Sequence, residues 1–155
     1  MNLQPIWMLT ALLCCLPNAV QAQSPVPATP AMWFTVMGDP DDATVNTVQV
    51  DPLDHEGMVR TKRVRVSRST PRTSWDGVPY RSYVSIVSFD CEKNKARYLK
   101  ITYHDEASWH GEPAKSVDYT KGPPRWMEFR DVQPNPTQRI INAACTLSAG
   151  VKTTR

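Results

Sequence analysis

The clearest alternation of apolar and polar positions lies at Tyr80–Cys91. Tyr83, Val87, Phe89 and Cys91 share one face there, and Val84 and Ile86 share the other. Apolar residues on both faces predict a central strand covered on each side. Lys93-Asn94 has the chemistry of a tight turn, so Ala96–His104 is predicted to return as the hairpin partner. In that partner Arg97, Leu99, Ile101 and Tyr103 alternate with Ala96, Tyr98, Lys100 and Thr102. Three strand-like runs come earlier: Met32–Gly38, Thr44–Val50 and Gly57–Ser69, the last with Val64 and Val66 facing one way and Arg63 and Arg65 the other. Pro71 and Trp75-Asp76-Gly77 mark a long turn. Lys115–Tyr119 reads as a short edge strand and Trp126–Val132 as a last strand. The period then changes. Asn135-Pro136 supplies an N-cap and a first helical residue, and Ile140, Ile141, Ala144, Cys145 and Leu147 recur at helical spacing. Strands followed by one terminal helix place the chain in the α+β class.

The N-terminus carries a different signal. Ile6–Leu16 is an apolar core of signal-peptide length, too short to span a bilayer, and Val20-Gln21-Ala22 offers a small-residue cleavage site. The expected organisation is a signal peptide over 1–22, a Pro-rich spacer over 23–31, one domain over 32–148 and a tail over 149–155. Cys14 follows Leu12-Leu13, where lipidation needs a small residue, so a lipid anchor is not expected. No later run is long and apolar enough to span a membrane. The expected location is the periplasm, the extracellular space or the cell surface of a Gram-negative bacterium.

With Cys14 and Cys15 in the leader, Cys91 and Cys145 remain as an even pair in an exported chain, which predicts one disulfide. It pins the helix, through Ile141 and Cys145, to the strand face of Val87 and Phe89. Closing a loop of about 55 residues stabilises by about 4 kcal/mol in loop-closure entropy. The pair is not CxxC and has no evident activating histidine, so it reads as structural and not reactive.

Charge sharpens the picture. The formal net charge is +3, yet Arg60, Lys62, Arg63, Arg65, Arg68 and Arg72 form a run of six cations without an acid. The other 12 basic residues face 15 acidic ones, so basicity is local. These six are the candidate binding residues, with a protein or anionic glycan as ligand; the competing reading is that they guard an edge strand against aggregation. No aromatic-interleaved nucleic-acid motif accompanies them. Trp75, Trp109 and Trp126 are candidate interface anchors, with Trp126 expected in the core.

Catalytic signals are absent. His104-Asp105-Glu106 and His110-Gly111-Glu112 match no strong zinc spacing, no GxSxG elbow occurs, and Asp51/Asp54/Glu56 reads as a solvated turn. The sequence predicts no enzyme, no metal and no cofactor.

Val64-Arg65-Val66, the strand Tyr80-Arg81-Ser82-Tyr83-Val84-Ser85-Ile86-Val87-Ser88-Phe89-Asp90-Cys91, Arg97-Tyr98-Leu99, Tyr103, Trp126 and a closing helix ending at Cys145 together resemble the surface-adhesin protein E family. The similarity covers about Trp33–Cys145. It implies a single antiparallel β-sheet of about six strands, a C-terminal α-helix tied to the sheet by a disulfide, and a homodimer formed through the sheet. The family's namesake is a lipid-anchored adhesin for host matrix and plasma proteins. This chain departs from it in lacking the lipid-anchoring cysteine, and in having Ser67 or Arg65 where a Trp often follows V-R-V. The resulting expectation is an exported, non-enzymatic binding protein acting through the basic strand; the alternative is a periplasmic inhibitor or envelope-stress factor that caps a partner protein.

Overall fold

The computed structural model describes residues 32–52 and 60–149. The leader, the spacer, His55, Asp54, Glu56, the first residues of the third predicted strand and the tail beyond 149 lie outside them. The architecture is an antiparallel sheet carrying one C-terminal helix, as expected. The strands are β1 (Phe34–Met37), β2 (Thr47–Val50), β3 (Thr61–Thr73), β4 (Pro79–Asp90), β5 (Lys95–His104), β6 (Lys115–Asp118) and β7 (Arg125–Trp126), followed by α1 (Thr137–Ala149). The first six pair in sequence order, and β7 pairs with β5 beside β6.

The β4–β5 hairpin forms where the alternation is strongest, and its turn uses Asn94 at φ 51°. Asn tolerates this left-handed conformation better than most residues. Within β5 the simple period fails. Ile86 pairs with Lys100 but Val87 with Tyr98, so Leu99 is an extra residue in a bulge. The parity therefore changes mid-strand. Ala96 and Tyr98 face the core, and so do Ile101 and Tyr103, two pairs that simple alternation places on opposite faces.

β3 also departs from expectation, running through Pro71 to Thr73. Its pairing with β4 breaks between Ser67 and Arg72, so Pro71 falls where no ladder bond is required of it. Arg81 closes this break, donating from Nε to the Arg68 carbonyl and from Nη2 to the Ser69 carbonyl, each at 2.9 Å. The predicted strand Trp126–Val132 shrinks to Arg125–Trp126. Beyond it Met127, Phe129 and Val132 turn their side chains into the core from irregular chain, which imitates strand alternation without a partner strand.

The core lies on one face of the sheet, built from Val48, Val50, Val64, Val66, Val87 and Phe89 against Ile140, Ile141 and Ala144 of α1. The Asn135 side chain accepts the Thr137 N–H at 2.9 Å, the capping contact expected, with the regular helix starting one residue later than predicted. Cys91 and Cys145 are joined, their Cα atoms 5.9 Å apart, and Arg139 adds a bond from Nη2 to the Val36 carbonyl at 2.7 Å. The other face of β4 is less covered than predicted: Val84 and Ile86 are only half-buried.

Candidate functional site

The pleat of β3 divides the basic run. Lys62 and Arg68 point to the core side and are buried. Lys62 Nζ donates to the Pro52 carbonyl at 2.7 Å, and Arg68 Nη2 to Asp131 Oδ1 at 2.6 Å. Arg72 reaches the same carboxylate, 3.2 Å from Oδ2. Arg63 and Arg65 lie on the opposite, outer face. Arg63 is held by Asp51 at 2.6 Å; that carboxylate is buried and is not the solvated turn expected of it. Arg60 is exposed, at a positive φ just before β3. The structure thus gathers no six-cation stripe. Arg65 guards no edge, since β3 is interior between β2 and β4 over Val64–Ser67.

Arg65 occupies the most constructed environment on the outer face. It stands in a cross-sheet row running Thr35, Gln49, Arg65, Val84, Thr102 and Ser116 over six strands. Its Nε donates to Gln49 Oε1 at 2.7 Å, and Gln49 Nε2 passes the chain on to Thr35 at 2.8 Å. The guanidinium lies 4.3 Å from the centroid of the Trp33 ring and 3.9 Å from that of Trp109. Both separations are within cation–π range. Burial, and secondarily the Arg63 charge, pull its pKa down to about 10, so it remains a cation at neutral pH. Among the described residues no carboxylate pairs with it.

Trp109 is placed there by an unusual loop. Ser108 and Trp109 sit at φ 54° and 61°, a conformation non-glycine residues adopt at a cost. The cost is offset by bonds to the sheet. Ser108 N–H donates to Ser67 Oγ and Trp109 N–H to Ser82 Oγ, each at 3.0 Å, and the indole N–H donates to the Tyr83 carbonyl at 3.2 Å. Ser67 and Ser82 are register partners on β3 and β4, which explains why both serines are buried on a nominally outer face. Nothing local in the sequence announces this stack; its members come from three separate regions of the chain.

On the core side the structure holds a pocket of about 200 Å³ walled by Tyr80, Tyr83, Tyr98, Tyr103 and Phe129, with Trp75 at its rim and Arg68, Arg72 and Asp131 in its lining. The Tyr83 and Tyr98 hydroxyls are 3.0 Å apart, those of Tyr103 and Tyr119 3.4 Å apart, and Tyr119 donates to Asp76. Burial raises the pKa of all five tyrosines of the chain. Arg68 Nε and Arg72 Nε, both sealed from solvent, have no hydrogen-bond partner among the described residues.

Of the other candidates, Trp75 and Trp126 are 50% and 47% exposed. Trp126 is therefore not a core residue; Lys95 Nζ lies 5.5 Å from its ring centroid. His104 is buried and His110 exposed, and among the described residues no three ligating side chains gather as a metal site would need. No described helix is long and apolar enough to cross a membrane.

The family model described as surface-adhesin protein E matches residues 33–146. Neither the curated proteins nor the solved structures compared with the chain give a match.

Proposed function

We propose, from the premise that this chain belongs to the surface-adhesin protein E family, that it is an exported, non-enzymatic binding protein whose contact surface is the outer sheet face around Trp33, Arg65 and Trp109. The observation that carries this reading is the Arg65 guanidinium, stacked between two indoles and, among the described residues, lacking a carboxylate of its own. A stacked arginine flanked by tryptophans has the composition of an interface hot spot. Held by Gln49 and the rings, it meets a partner with little further loss of side-chain freedom. The matching ligand is a protein surface presenting a carboxylate beside apolar groups. Export through the 1–22 leader agrees with a surface-adhesin family.

The test is a pull-down with mature protein at low salt, comparing wild type with Arg65→Glu and with Trp109→Ala. Partners are expected to be lost from both variants while circular dichroism stays native. Equal recovery by all three removes this face from consideration. Recovery of acidic glycans in place of proteins reassigns the ligand, and a soluble periplasmic partner bound in equal amount favours the inhibitor or stress-factor role. Mass spectrometry of the fractionated protein checks the leader: the mature chain should begin at Gln23.

A further inference from the structure

We propose that the tyrosine-walled pocket on the core side is a binding site for a small monocarboxylic acid carrying one planar ring, a role independent of the outer-face surface. Three observations converge on it. The first is size: the pocket holds about 200 Å³, and a cavity of about 150 Å³ accepts one benzene ring. The second is shape and surface. Tyr80 packs edge-on against Tyr83 and tilted against Tyr103, with centroids 5.7 and 5.2 Å away, and Trp75 tilts over Tyr98 at 5.8 Å. Aromatic rings thus line the walls and the mouth, and a further ring packs favourably against them edge-on or offset.

The third observation is an imbalance of donors and charge. Arg68 and Arg72 share the single carboxylate of Asp131, leaving one positive charge over. The side chain of Arg68 is only 5% exposed, yet among the described residues its Nε finds no acceptor, and neither does Arg72 Nε. Buried donors without acceptors are costly, and each one in a native fold calls for an explanation. The remaining lining charges, Glu128 and Arg130, pair with each other at 2.8 Å. A cation is repelled by the two guanidiniums, and a neutral ring leaves the donors unsatisfied. A carboxylate supplies acceptors and the missing charge together. It shares the two guanidiniums with Asp131, approaching from the side of Arg72, whose side chain is 35% exposed.

The test follows the Trp75 indole N–H resonance of isotope-labelled mature protein during titration with benzoate. A saturable shift at Trp75 is expected. Benzamide, which keeps the ring and loses the charge, should bind about tenfold more weakly, as should benzoate to Arg72→Gln. Tyr80→Phe, which removes a single hydroxyl at the wall, serves as a second variant with little risk to folding and should weaken benzoate severalfold. N-acetylphenylalanine distinguishes a free acid from the carboxyl end of a peptide. Weaker binding than benzoate supports the free acid, whereas tighter binding overturns that assignment. No saturation at Trp75, equal affinity for benzamide, or indifference to both substitutions overturns the proposal.

Discussion

Replacing Cys91 and Cys145 together by serine tests how the scaffold is held. The two residues are 54 positions apart, so the bridge removes about 4 kcal/mol of loop-closure entropy from the unfolded chain. The folded state changes little by comparison, because Ile140, Ile141 and Ala144 still bury against the sheet and Arg139 still holds β1. The loss should therefore act on global stability and not on the helix alone. Urea unfolding followed by circular dichroism should show a fall of about 3–4 kcal/mol. With a slope near 1.5 kcal/mol/M, this is a midpoint shift of about 2–3 M. The slope itself should rise, since the uncrosslinked unfolded chain exposes more surface. Hydrogen exchange supplies the discriminating readout. If the bridge acts through the unfolded state, the slowest amides of β3, β4 and β5 lose as much protection as those of α1. Protection lost in α1 alone, or a stability change below about 1 kcal/mol, refutes the entropic account.

Other outcomes follow from the same geometry. All five tyrosines have folded pKa values raised by burial; the stability this represents is complete below about pH 10 and is lost as pH rises toward the folded values. Absorbance at 295 nm should show the buried tyrosines ionising only together with unfolding, and independent titration near pH 10 in a folded protein would contradict this. Asp131 is raised by partial burial but pulled down further by Arg68 and Arg72. Its contribution is therefore present above its ordinary value of 3.8 and fades as pH falls through the lower folded value. Asp131→Ala should cost about 1–2 kcal/mol at neutral pH, discounted for exposure, and urea midpoints should show the difference shrinking in acid. Deleting Leu99 removes the bulge and leaves Ala96, Tyr98, Ile101 and Tyr103 in unbroken alternation. The fold should survive at a cost of about 2 kcal/mol for the lost side chain, and a loss of the native circular dichroism spectrum would refute the register.

Legibility followed the range of the interactions. The β4–β5 hairpin, the helix stripe Ile140–Ile141–Ala144 and the Cys91–Cys145 bridge were readable because periodicity, a turn dipeptide and an even cysteine count are local signals. The Leu99 bulge was not, because either parity of β5 offers apolar residues and only pairing with β4 chooses between them. Met127, Phe129 and Val132 misled for a related reason: chain that leaves the ladder after Trp126 can still bury every second or third residue. The six cations were visible as a cluster, but their fates depend on Asp51, Asp131 and Trp109, none adjacent to them in sequence. The positive φ values at Ser108 and Trp109 carry no glycine to advertise them.

The division of that cluster gives β3 its character. A strand interior to a sheet presents alternate residues to two different environments, and here the alternation continues through charged side chains. Arg63 and Arg65 serve the outer face, where one is neutralised by Asp51 and the other lies stacked on indoles and, among the described residues, without a carboxylate. Lys62 and Arg68 go to the core side, which ordinarily excludes them. Burying such cations is tolerable only where acceptors are fixed in advance, and the Pro52 carbonyl and Asp131 supply them. A domain this small has little stability to spare for imperfectly satisfied arginines. The Cys91–Cys145 bridge supplies a margin, and the orphaned Nε atoms of Arg68 and Arg72 show where some of it is used. The disulfide thus acts on the scaffold: it stabilises a fold in which one strand carries buried cations beneath a tyrosine pocket and presents Arg65 on its opposite face.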